Sequence, residues 1–316
     1  MPCRADRDRA EVDGPGFLTE EDALETTLTV TYYHHAGFSV TDGTVFLVFD
    51  YWRGENDEMN SCPLTGDELT GYKRVYVFVS NDREDHFDEN VFTWDRNAPN
   101  ITYIIAGDMD AEHRKKARGL EMNPGDELKL EGIDIHAYAT SDRGVSLLVT
   151  LDGLKIFYAG ELNLWHWREE SSLSEIQEAE RAFESAMAPI EKLHVDLAMF
   201  PLDPRMGGLF DAGANHFIMS VKPRLFIPMQ WHGRKNVASE YARRGRTRYT
   251  EILALTSPRE QAQVTYRDSS ITWKILPPSL PNEVSLDSLA QDDPFADSDL
   301  PVALDTDTDR KKGNTP

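Results

Sequence analysis

Apolar positions in this chain fall mostly into short runs separated by turn residues, the pattern of strands rather than helices. Residues 27–33 and 44–49 flank Thr41-Asp42-Gly43, a hairpin signal. Residues 74–79 and 101–105 read as further strands, rich in Val, Ile, Tyr and Phe. Residues 128–139, 146–151 and 155–159 predict a meander whose second turn is Asp152-Gly153. Residues 196–200 and 225–229 predict a later strand pair. Helical spacing is rarer. Leu173, Ile176, Ala179, Phe183, Met187 and Ile190 recur every three or four residues and predict a helix from 173 to about 193, capped by Ser172 or Ser174. Shorter helices are expected at 215–221, ended by Pro223, and at 237–244.

Strands come first, and strands alternating with helices follow. That order predicts a mixed α/β sandwich rather than a doubly wound parallel sheet, for which the chain also lacks a Gly-x-Gly-x-x-Gly turn. No internal repeat is visible.

Charge sets off the two ends. The chain has 316 residues and a formal net charge of −22. Residues 1–26 and 282–316 together carry half of it, and 40% of all residues are hydrophobic, enough for a substantial core. Three parts are therefore expected: an acidic, disordered leader over 1–26, one domain over 27–279, and an acidic, disordered tail over 280–316. The acidic body argues against nucleic acid as a partner. Cys3 and Cys62 are the two cysteines, without a Cys-x-x-Cys signature or a catalytic setting. No apolar run spans a bilayer and the N-terminus has no signal-like apolar stretch, so a soluble, cytoplasmic protein without a membrane partner is expected. Nothing in the sequence sets the oligomeric state.

Ser80-Asn81-Asp82-Arg83-Glu84-Asp85-His86 follows the strand at 74–79. This stretch resembles the metal-binding loop of the metallo-β-lactamase superfamily, which reads Ser-His-x-His-x-Asp-His after a strand. Four more pieces follow the family's order over about residues 27–235: the opening hairpin with His34-His35-Ala36-Gly37-Phe38, residues 141–146, a strand leading to Gly160-Glu161, and Pro228-Met229-Gln230-Trp231-His232. The lactonase-like branch looks nearest. The resemblance implies a four-layer αββα sandwich of two mixed β-sheets flanked by helices. It also implies a metal-dependent hydrolase acting on an ester, lactone or phosphoester.

This chain departs from the pattern in ways that chemistry can weigh. Asn81 offers zinc only a neutral amide oxygen, and Arg83 is a permanent cation without a lone pair. The first ion position is therefore read as lost. Asp85 and His86 match the second position. Glu161 stands for a bridging Asp, one methylene longer. Gln230 stands for a final His, with His232 two residues on and on the same face if the segment is extended. The expected site is one zinc or another divalent ion held by Asp85, His86, Glu161 and His232. His35 and His166 are the candidates to orient the substrate or pass a proton, and Arg83, Arg234 and Lys235 to hold an anionic group on a small-molecule substrate. Trp165 and Trp167 either wall a pocket or pack the long helix onto the sheet. The alternative is a non-catalytic binding protein without metal, in which Arg83 fills the emptied position and pairs with Glu161 or Asp85. Walker and Gly-x-Ser-x-Gly motifs are absent.

Overall fold

The apolar runs become two mixed sheets. A computed structural model describes residues 25–54, 63–167, 170–268 and 270–277. The expected leader and tail fall outside them, except for the leader's last two residues. The first half of the chain gives β1 (Glu25–Tyr32), β2 (Phe38–Thr41), β3 (Val45–Phe49), β4 (Arg74–Val79), β5 (Ile101–Ala106) and β6 (Leu120–Met122). The second half gives β7 (Glu127–Leu130), β8 (Ile133–Ala139), β9 (Val145–Leu151), β10 (Leu154–Tyr158), β11 (Leu197–Pro201), β12 (Leu225–Met229), β13 (Glu251–Ile252), β14 (Gln261–Arg267) and β15 (Ser270–Leu276).

One sheet has the order β15-β14-β1-β2-β3-β4-β5-β6, the other β13-β12-β11-β10-β9-β8-β7. Each joins an antiparallel part to a parallel part. β3 to β6 are parallel in the first, and β10 to β13 in the second. The inner parallel strands β3, β4, β11 and β12 are covered on both faces, which is why they read as continuous apolar runs. All of β3, β11 and β12 is buried. Phe49 of β3 stacks on Tyr158 of β10 at 4.9 Å between ring centroids, so the core lies between the sheets.

Helices flank them: α1 (Ala111–Ala117), α2 (Leu173–Met187), α3 (Ala212–Val221) and α4 (Lys235–Gly245). Ser172 caps α2 through a reciprocal box with Glu175. The helix stops at Met187, short of the expected 193. Lys222 ends α3 in the left-handed region ahead of Pro223. The elements predicted from sequence end at 244, whereas the structure continues with β13 to β15. Their signal is an alternation: Ala262, Val264 and Tyr266 are buried on β14, which pairs with β1. Among the described residues no helix is long and apolar enough to cross a membrane.

One glycine locks a turn against the loop that follows β4. Gly144 has φ +74°, and a Cβ there would lie 1.9 Å from the carbonyl oxygen of Ser80. The next residue, Val145, donates its N–H to that same oxygen at 3.0 Å. Gly144→Ala is expected to cost about 2 kcal/mol, from a strained backbone and a forced shift. An unchanged urea midpoint would show that the turn does not rest there.

Candidate functional site

Residues with chemistry follow the carboxyl ends of the parallel strands, where loops of an α/β sheet converge. Asp50 follows β3, residues 80–86 follow β4, Glu161 follows β10, Asp203 follows β11, and Gln230 to His232 follow β12.

The centre is a buried chain of charge, Asp50–His86–Glu161. Asp50 is 1% exposed and accepts from the Ser80 backbone N–H (2.7 Å), the Ser80 hydroxyl, the Tyr158 hydroxyl (2.8 Å) and His86 Nδ1 (2.7 Å). His86 Nε2 lies 2.6 Å from Glu161 Oε1. Burial alone would push the imidazole down. The facing Glu161 and Asp50 carboxylates outweigh burial and hold it up at about 10, so it carries a proton at neutral pH. Burial pushes Glu161 up, yet the imidazolium keeps it ionised below its ordinary value. Gln230 Nε2 donates to Glu161 Oε1 (3.2 Å) and to the Gly160 carbonyl (3.4 Å). The amide therefore sits inside this polar cluster, at the position the family gives to histidine.

His35 and Asp85 complete the rim. His35 Nε2 is 3.4 Å from Asp85 Oδ2, and its ring meets that of His86 edge-on at 5.5 Å. Burial lowers His35 to about 4, leaving its imidazole neutral at pH 7. Burial raises the Asp85 carboxyl, but the facing histidines more than reverse this and keep it ionised. Donor atoms of His35, Asp85 and His86 all lie within 4.8 Å of one another.

Arg83 and Asn81 explain the other half of the loop. Asn81 Oδ1 accepts the Arg83 backbone N–H (3.0 Å) and Asn81 Nδ2 donates to Ser80 Oγ (3.1 Å), so the amide shapes the turn. Arg83 pairs with Asp142, and its Nε lies 3.9 Å from Glu161 Oε2. A guanidinium thus stands against both Asp142 and Glu161 at the loop position where the resemblance would place a ligand to the first ion. The donor set there does not fit a metal. At the second position two imidazoles and a carboxylate do fit one divalent ion by type, with Asp50 behind His86 as the partner that orients a metal-binding histidine.

Other sequence candidates lie elsewhere. His232 is not extended from Gln230, since both have positive φ, 46° and 57°. Its Nε2 faces Asp203 Oδ2 at 3.4 Å and its ring packs on His35 at 4.5 Å, so it does not join Asp85, His86 and Glu161. His35 stands in the donor group instead of acting only beside it. His166 is buried and faces Glu180 of α2 at 3.1 Å, outside the cavity that Trp165 and Trp167 line on either side of it in sequence. Arg234 turns toward the Pro204 carbonyl.

Three cavities border the centre, one of them about 920 Å³ and lined by Asp82, Arg83, Asp85 and Arg143 among others. One of about 280 Å³ is lined by Arg83, Asp142, Glu161, Trp165, Trp167 and Arg205 among others. Another of about 710 Å³ contains Lys235, Trp231 and His232 and shares His35, Asp85 and Arg205 with the first. Sequence reasoning missed Asp50, Tyr158, Asp203 and Arg205. An acid ending the apolar strand β3 was a readable signal for Asp50. Nothing local marks Arg205, which forks onto the buried Asp203 through Nε and Nη2 and lies over Trp167 at 5.6 Å.

These protonation states set a pH profile for the metal-free protein. His35 takes up a proton on unfolding between about pH 4 and 6.5, so stability rises across that window. His86 contributes fully below 6.5, and its contribution is lost as pH climbs to about 10. Urea midpoints in chelator are expected to peak near pH 6.5 and to fall at both pH 5 and pH 9. A flat profile would contradict the assigned states.

The fold has known counterparts. A metallo hydrolase from the hyperthermophilic archaeon Ignicoccus hospitalis superposes with a TM-score of 0.52 at 19% identity, over 76% of this chain and 99% of its own. The metallo-β-lactamase fold protein YhfI of Bacillus subtilis does so with a TM-score of 0.50 at 13% identity, over 77% of this chain and 99% of its own. No protein-family model matches the chain, and no curated protein matches it in sequence.

Proposed function

We propose that this chain, which has the metallo-β-lactamase fold, is a hydrolase working with one divalent ion on an ester, lactone or phosphoester of a small anionic molecule. The observation that carries this reading is the group His35, Asp85 and His86, of which His35 and Asp85 line the cavity with Arg83 and His86 lies buried behind them. Two imidazoles and a carboxylate suit zinc, iron or manganese. When bound, such an ion supplies Lewis acidity and hydroxide near neutral pH.

The chain's own residues do the rest. Asp50 fixes the His86 ring through Nδ1. Its Nε2 must give up its proton to serve as a ligand, so ion binding competes with protonation. Glu161 and Gln230 hold polar atoms at the floor, with the Gln230 amide spent on Glu161 and the Gly160 carbonyl. Arg83, which lines the same cavity as Arg205 and Trp167, presents a guanidinium to an anionic substrate group.

A second reading has its own observation. The pairs Arg83–Asp142 and His86–Glu161 already give Asp142 and Glu161 cationic partners without any ion, as a metal-free anion-binding protein would. One assay separates the two. Chelated protein is offered a panel of lactones, aryl esters and phosphodiesters, then reloaded with zinc, manganese or iron. Hydrolysis that vanishes on chelation and returns on reloading supports the hydrolase. No hydrolysis with any ion, together with saturable anion binding, supports the metal-free reading.

A further inference from the structure

Trp165 and Trp167 are half-buried, and both line the cavity of about 280 Å³ that His35 and Asp85 border. Along this segment the side chains divide. Leu164 is packed against the hydrophobic core and His166 faces Glu180 of α2. Among the described residues neither indole belongs to that core or to the apolar side chains packed on it. The pair therefore does not fasten α2 to the sheet. Polar contacts hold it instead. Trp165 Nε1 donates to the Glu161 carbonyl at 3.0 Å, beside the centre. The Arg205 guanidinium, forked onto the buried Asp203, lies 5.6 Å from the Trp167 ring centroid. The two ring planes are parallel to within 6°, with 6.4 Å between centroids. That spacing is short of the roughly 7 Å a third ring between them would need, at about 3.5 Å for each contact. A flat group in the cavity therefore lies along the indoles rather than between them.

We propose that Trp165 and Trp167 determine specificity by taking a planar aromatic ring, carried by the substrate next to the bond that is cut. That the ring belongs to a substrate rests on the hydrolase reading, whereas its binding does not. An aliphatic chain would bury the same carbon surface, but only an aromatic ring adds the stacking contact that parallel indoles offer. A cation is the poorer occupant, because Arg205 already stands over Trp167. The space, about 280 Å³, is at the lower end for ligand pockets and limits the aromatic group to roughly one or two rings. His35 and Asp85 line the same cavity, so a ring stacked on the indoles leaves the neighbouring bond beside the donor group.

Calorimetric titration of chelated protein with β-naphthol and with its fully saturated counterpart β-decalol tests this without any turnover. Both carry one hydroxyl on the same carbon frame, and only the first is planar. Saturable binding of β-naphthol is expected, about fivefold tighter than that of β-decalol, the margin an aromatic contact adds beyond the area it buries. Trp165→Leu and Trp167→Leu should each narrow the margin, and the double variant should abolish it. No saturable binding of β-naphthol, equal affinity for the two alcohols, or an unchanged margin in the folded double variant overturns the proposal. The comparison of the two alcohols in the unaltered protein decides the matter even where a variant fails to fold. A preference for the planar alcohol without hydrolysis of any panel substrate would sink the hydrolase reading and leave the aromatic subsite standing. Hydrolysis without that preference would do the reverse.

Discussion

Asp50→Ala is expected to lower the unfolding free energy by about 3–5 kcal/mol, the range for removing one partner from a buried charge pair. For a domain of this size that is a fall of roughly 10 °C in Tm. The carboxylate has four donors around it and no exposed oxygen to share with water. Without it the Ser80 N–H, the Tyr158 hydroxyl and His86 Nδ1 lose a partner together, and the His86 proton keeps only Glu161 of the two carboxylates that support it. Burial, then the neighbouring Asp50 charge, already hold the Tyr158 hydroxyl far above its ordinary range, so it stays a donor. Asp50→Asn should cost less, because one oxygen remains to accept. Thermal melts of both variants in chelator check the order. A loss below about 1 kcal/mol for Asp50→Ala would mean that the four bonds are not held in solution.

Asp85→Ala is expected to act on function and spare the fold. Its side chain is 36% exposed and its partner His35 stays neutral at pH 7, so Tm should move by no more than a few degrees. Hydrolysis of whichever panel substrate is turned over should fall at least about 100-fold, since losing a ligand costs more than losing the outer partner of one. The contrast with Asp50 is informative. On the hydrolase reading one acid holds the centre together and the other binds the ion. Steady-state kinetics beside a melt would show this split. An Asp85→Ala protein with full activity would remove Asp85 from the donor group.

Much of the architecture was readable because parallel strands buried on both faces leave long apolar runs, as in β3, β4, β11 and β12. The site was readable where residue type alone limits chemistry. Arg83 cannot bind a cation, and the structure sets it against Asp142 and Glu161. Local geometry was not readable. His232 depends on backbone φ at Gln230 and His232, and two left-handed residues break the extended alternation that would have aimed it inward. His166 illustrates the same point. Trp165 and Trp167 face the cavity, so the residue between them turns to α2. Asp203 and Arg205 join the site only through the packing of β11 beside β12, a neighbour relation no short motif records.

The most direct test is a count of metal ions per chain, by elemental analysis of protein saturated with zinc, manganese or iron and freed of excess. The account predicts one ion per chain, absent from the Asp85→Ala/His86→Ala double variant and unaffected by Lys235→Gln. Two ions per chain would contradict it, because Arg83 could not then occupy the first position. An ion retained by the double variant would place the centre elsewhere.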